Sequence, residues 1–69
     1  MTIGTRIRIR REEINMTQPE LAKMAKLSQG YISELENGRY NPTATTLLRL
    51  AKALRMSVSE LIGEERRAV

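Results

Sequence analysis

Between positions 29 and 34 the chain carries Gln29, Gly30, Tyr31, Ser33 and Glu34, polar groups of several kinds set around the apolar Ile32. Such groups can hydrogen-bond to the edges of nucleobases. Gln can pair bidentately with adenine through N6 and N7, Glu can accept from the N4 amino group of cytosine, and Ser is permissive. Gly30 offers no side chain, so it either permits close approach or drops one contact. Tyr31 has two readings, a tip that caps a phosphate or touches a thymine methyl, and a ring that closes a small core. Glu34 is the most telling choice, because an unpaired carboxylate facing phosphates is repelled; it either reads cytosine or acts against other bases. Groups suited to the phosphate backbone, which carries position rather than sequence, stand around this set. The amides after Thr17 and Ser28 open two candidate helices, whose N-termini favour phosphate. Arg39, Tyr40 and Asn41 follow as backbone-gripping candidates, with Arg10 and Arg8 upstream; for these two arginines plain solvation of a basic helix face weighs equally.

Two short helices must position these groups. Thr17 stands three residues before Glu20, the capping-box spacing, so a helix is expected over 18–25, with Pro19 tolerated in its first turn and Met16 and Leu21 as a staple. The pattern restarts at Ser28, which can cap a second helix over 29–37, with Leu27 and Ile32 as its staple and Gly38 as its stop. Leu21, Ala22, Ala25, Ile32 and Leu35 fall on the inward faces, and small Ala22 lets the axes approach. Two helices joined by a tight turn form a helix-turn-helix, which points to sequence-specific binding of double-stranded DNA.

The remaining elements supply a scaffold. A first helix is expected over 3–14, although Arg6 to Arg10 alternates with period two; a lone strand would have no partner. Arg11 falls on the same face as Ile7, and a buried guanidinium needs an acid, for which Glu36 is the candidate. Pro42 marks a loop, Thr43 caps a helix over 44–54 whose buried stripe is Leu47, Leu50, Ala51 and Leu54, and Arg49, Lys52 and Arg55 face outward. Ser57 with Glu60 forms another capping box, Met56 with Leu61 another staple, and Gly63 a stop for a short helix over 58–62. Residues 64–69 are expected to fray.

Composition narrows the rest. Sixty-nine residues allow one domain, 1–69, near the lower limit for an unstapled core. With no Cys or His there is no disulfide, thiolate metal site or imidazole base, so no catalytic residue, metal or cofactor is expected and an enzyme reading is set aside. Glu12 and Glu13 read as helix-surface charge. Twelve Lys and Arg against eight acids give +4, an excess that suits a polyanion. No signal peptide or spanning segment is evident, so no membrane is expected and a cytoplasmic location is the default.

With these residues laid out, the chain resembles the phage repressor and Cro-like (XRE) helix-turn-helix family over residues 3–63. The matching features are T-Q-x-E-L-A at Thr17 to Ala22, S-x-x-Y-I-S-x-L-E-N-G at Ser28 to Gly38, N-P-T at Asn41 to Thr43, and L-x-x-L-A-x-A-L ending at Leu54. The resemblance implies an all-α, five-helix lambda-repressor-like domain, a Cro/C1-type repressor whose third helix enters the major groove. It implies an Arg11–Glu36 pair, and a phosphate-contacting role for Gln18, which is also placed to brace Gln29. Lys26 departs from the family's habit of Gly in the motif turn, at a cost of about 1 kcal/mol for positive φ.

One domain covers few base pairs, so an inverted-repeat operator read by a homodimer is expected, with Val58, Leu61 and Ile62 as the candidate interface; the alternative is that all three close the monomer core. Two other functions fit the same pattern, a restriction-modification controller protein and an interaction module such as an antitoxin or coactivator. Contact with RNA polymerase or another protein partner is left open by these residues.

Overall fold

The computed structural model describes residues 1–63, so the expectation of a frayed tail lies outside the described residues. Five helices follow one another: α1 (Ile3–Glu13), α2 (Gln18–Ala25), α3 (Gln29–Glu36), α4 (Ala44–Ala53) and α5 (Val58–Ile62). No strand occurs among the described residues. The expected helices over 3–14, 29–37 and 44–54 each end one residue early, because Ile14, Asn37 and Leu54 are C-caps.

Every helix begins on a hydroxyl that accepts from an amide of its own first turn: Thr2 from Thr5, Thr17 from Glu20, Ser28 from Tyr31, Thr43 from Thr46 and Ser57 from Glu60, at 3.0–3.2 Å. At α2 and α5 the capping box closes in both directions, since Glu20 accepts from the Thr17 amide and Glu60 from the Ser57 amide, both at 2.8 Å. Turns after the helices use left-handed residues. Lys26 adopts φ 58° and ψ 45°, so the motif turn is made without glycine, and the Leu27 amide closes it on the Ala22 carbonyl at 2.8 Å.

The Ile-Arg alternation of α1 is helical after all. Ile7 is fully buried and Ile3 and Ile14 pack partly against the core, whereas Ile9, some 200° round the helix from Ile7, is exposed. Packing runs as a closed ring, with α2 on α3 and α4, α4 on α5, α5 on α1 and α1 on α3. Ile7, Leu21, Ile32, Leu35, Leu50, Leu54 and Leu61 are the largest fully buried side chains inside it. On α4 the stripe is narrower than expected, for Leu47 is only partly buried and Leu48 remains 60% exposed, while Ala53 joins the core. Gly4 seats α1 on α3, because a Cβ there would collide with the Leu35 carbonyl oxygen. No helix of the described residues is long and apolar enough to cross a membrane.

Candidate nucleic-acid interface

The third helix divides sharply around its axis. Ile32 and Leu35 are fully buried, Gly30 lies on the opposite side, and both Gly30 and Gln29 are exposed at the N-terminal end. Gly30 faces open space, with nothing within 4 Å of where a Cβ would stand. Ser33 and Glu34 are half-buried and complete the polar edge. Tyr31 packs partly against the core and leans on Tyr40, with ring centroids 5.9 Å apart and planes tilted by 31°. The core-closing reading of Tyr31 therefore prevails for its ring.

Rigid placement of that edge comes from the far end of α3. Glu36 is the one charged residue among the buried ones of the described residues, and it lies where three segments meet. Arg11 of α1 donates to it bidentately, Nε to Oε2 at 2.7 Å and Nη2 to Oε1 at 3.1 Å, and gives Nη1 to the Met16 carbonyl at 2.9 Å. Gln18, the first residue of α2, adds Nε2 to Oε1 at 3.1 Å. The hydrogen bond to Glu36 raises the Arg11 pKa above its ordinary value; burial opposes this, and the charges of Glu36 and Glu12 reinforce it. The inferred Arg11–Glu36 pair is thus present, with its partners in place.

Several expected roles change. Gln18 directs its amide to Glu36 instead of bracing Gln29, because a carboxylate is the stronger acceptor. Arg10 turns away from α3: Nε donates to the Leu54 carbonyl at 3.0 Å, Nη2 to that of Arg55 at 3.3 Å, and Nη1 lies 3.6 Å from Glu13. It ties α1 to the α4–α5 corner, where uncapped carbonyls at a helix end attract a cation. Leu61 is fully buried and belongs to the monomer core, so it is removed from the candidate interface; Val58 packs partly against the core and Ile62 is partly exposed.

The loop following α3 holds Arg39, Tyr40 and Asn41, all exposed, and Ser28 is exposed at the other end with its hydroxyl accepting from the Tyr31 amide. Sequence reasoning treated Glu34 and Arg39 separately, but their side chains form an ion pair, Arg39 Nε to Glu34 Oε2 at 3.3 Å. The signal was there in Gly38: at φ 78° it turns the chain so that the Arg39 amide bonds the Glu34 carbonyl at 2.9 Å, bringing the two residues side by side.

A capped α2, a tight left-handed turn and an α3 with an exposed polar edge, locked from behind by a buried ion pair, define a helix-turn-helix domain. The chain belongs to the helix-turn-helix family of phage repressor and Cro-like (XRE) type, whose family profile matches residues 7–61. It is 46% identical over 65 residues to the immunity repressor protein of Bacillus phage phi105, an alignment covering 94% of this chain and 45% of that one. It superimposes on the P22 c2 repressor, solved in complex with a synthetic operator, with a TM-score of 0.84 at 37% identity, covering 90% of this chain and 94% of that chain. The restriction-modification controller protein C.AhdI from Aeromonas hydrophila matches with a TM-score of 0.84 at 32% identity, covering 87% and 91%. The chain spans about half the length of the phi105 repressor it matches. The relatives include repressors and transcriptional regulators, and one of them, the P22 c2 repressor, is seen bound to an operator.

Proposed function

We propose that this chain is a transcriptional repressor module that binds an inverted-repeat operator as a homodimer, each copy placing the Gln29–Glu34 edge of α3 in the major groove. The observation that carries this reading is the exposed edge itself, backed by fully buried Ile32 and Leu35 and by the Glu36 joint. Base readout falls to Gln29, Ser33 and Glu34, with Gly30 allowing close approach and the Tyr31 hydroxyl at the rim. The amides opening α2 and α3, at Gln18 and Ser28, face phosphates, and Arg39, Tyr40 and Asn41 grip the backbone beside them. Gln18 contributes through its backbone and by holding α2 to α3. Two copies meet through Val58, Ile62 and the loop before α5, and act in the cytoplasm by occluding the promoter.

Selection of binding sites from random duplex DNA tests this. Enrichment of an inverted repeat whose half-sites lie about 34 Å apart on one face supports a dimeric regulator. Recovery of unenriched sequence would contradict it.

A further inference from the structure

The ion pair between Glu34 and Arg39 sits where no structural need calls for it. Its side chains are 39% and 70% exposed, and the approach of Arg39 Nε to Glu34 Oε2 is 3.3 Å, longer than a tight charge-assisted hydrogen bond. Exposed pairs of this kind add about 0–1 kcal/mol to stability. The pair is nevertheless not accidental in position, because the α3 C-terminal turn fixes both backbones to each other through the Arg39 amide and the Glu34 carbonyl. One partner stands on the base-reading edge and the other on the phosphate-gripping loop.

We propose that Glu34 is a specificity-determining residue that acts by holding Arg39 away from phosphate until a base releases it. This inference rests on the DNA-binding reading above. In the free protein the carboxylate is an internal counterion for the guanidinium, in competition with DNA phosphate. Where the facing base offers an amino group, as cytosine does at N4, Glu34 exchanges Arg39 for that donor, and the arginine moves to phosphate. Where the facing base edge offers only acceptors, Glu34 has no alternative donor, keeps Arg39, and the phosphate contact is not made. An arginine alone would grip every duplex equally; coupled to Glu34, its grip becomes conditional on sequence. Base reading and backbone affinity, usually the work of separate residues, are joined here.

The test uses two duplexes of equal length, one selected by the wild-type chain from random sequence and one of mixed sequence, titrated across a range of salt. Glu34→Gln is expected to bind the mixed duplex about three- to tenfold more tightly, with the slope of log K against log salt steeper by about one, and to narrow the preference for the selected duplex. Arg39→Gln is expected to weaken the selected duplex in either background, but to weaken the mixed duplex only when Glu34 has already been replaced. Thermal melting of both exposed-site variants verifies that each is folded. If the wild type keeps its preference while Glu34→Gln leaves mixed-duplex affinity and slope unchanged, the coupling is overturned and the regulator reading stands. Equal weakening of both duplexes by Arg39→Gln in the wild-type background overturns it as well. A wild-type chain with no preferred sequence would overturn both.

Discussion

Two carboxylates on α3, Glu34 and Glu36, stand two residues apart and do opposite work. Glu36, with a side chain 3% exposed, receives a bidentate guanidinium and an amide. Glu34, with a side chain 39% exposed, stands at a longer 3.3 Å from an arginine that is itself mostly in solvent. Burial decides the difference. A buried charge that loses its partner is left stranded at large cost, so Glu36 is fixed in place, whereas an exposed pair is worth little and exchanges readily. The same helix thus presents a rigid back and an exchangeable front, a useful combination for an element that must keep its shape while sampling bases.

The widest separation between these acids lies in stability. Glu36→Ala should cost about 3–5 kcal/mol, since it strands Arg11, whose side chain is only 12% exposed. A domain of this size has about 3–10 kcal/mol in all, so denaturant unfolding should show the variant stripped of a large share of its stability. Glu34→Ala, measured the same way, should shift stability by no more than about 1 kcal/mol. Similar losses for the two variants would erase the distinction between back and front.

Gly4 and Gly30 repeat the contrast at the level of backbone. Gly4→Ala should destabilise by about 1–3 kcal/mol, because its methyl meets the immobile Leu35 carbonyl and α1 must lift from α3. Gly30→Ala points into open space and should stabilise by about 0.5–1 kcal/mol through helix propensity. A melting comparison checks both signs, and reduced operator affinity of a more stable Gly30→Ala would show that close approach at this position is used.

The smallest effect concerns the helix starts. The carboxylates of Glu20 and Glu60 lie below their ordinary pKa near 4.5, chiefly because each accepts from the backbone amide of its capping residue, Thr17 or Ser57. With folded values depressed, their contribution is complete above the unfolded value and disappears as pH falls through the folded one. The fall in Tm between about pH 6 and pH 3 should therefore be smaller in a Glu20→Gln, Glu60→Gln double variant than in wild type. An identical fall would leave the capping carboxylates without a part in acid stability.

Local chemistry was what the residues disclosed most completely. Hydroxyl caps, the two capping boxes and the left-handed stops depend on neighbours within four or five positions, so α2 and α5 could be bounded to the residue. Arg11–Glu36 was also accessible, through the helical face that Arg11 shares with Ile7 and the need of a buried cation for an acid. Contacts set by the angle between helices were not. The Arg10 tie to the α4–α5 corner spans 44 positions, and nothing in an arginine-rich helix marks which of its arginines will find carbonyls. Leu61 was a candidate for the dimer interface, with closure of the monomer core as the alternative, and the ring of packed helices closes over it. Gly4 was passed over, though a glycine inside a helix commonly marks close approach of another backbone.

Base reading by α3 requires an edge held clear of its own core, and Gln29, the exposed residue opening that helix, is the position at which to test it. Affinities of Gln29→Ala and wild type should be measured over a set of operator duplexes substituted one base pair at a time. The variant should lose about 1–3 kcal/mol on the best site and become indifferent at one base position per half-site while keeping its preferences elsewhere. Uniform weakening at every position, with the preference profile unchanged, would contradict it.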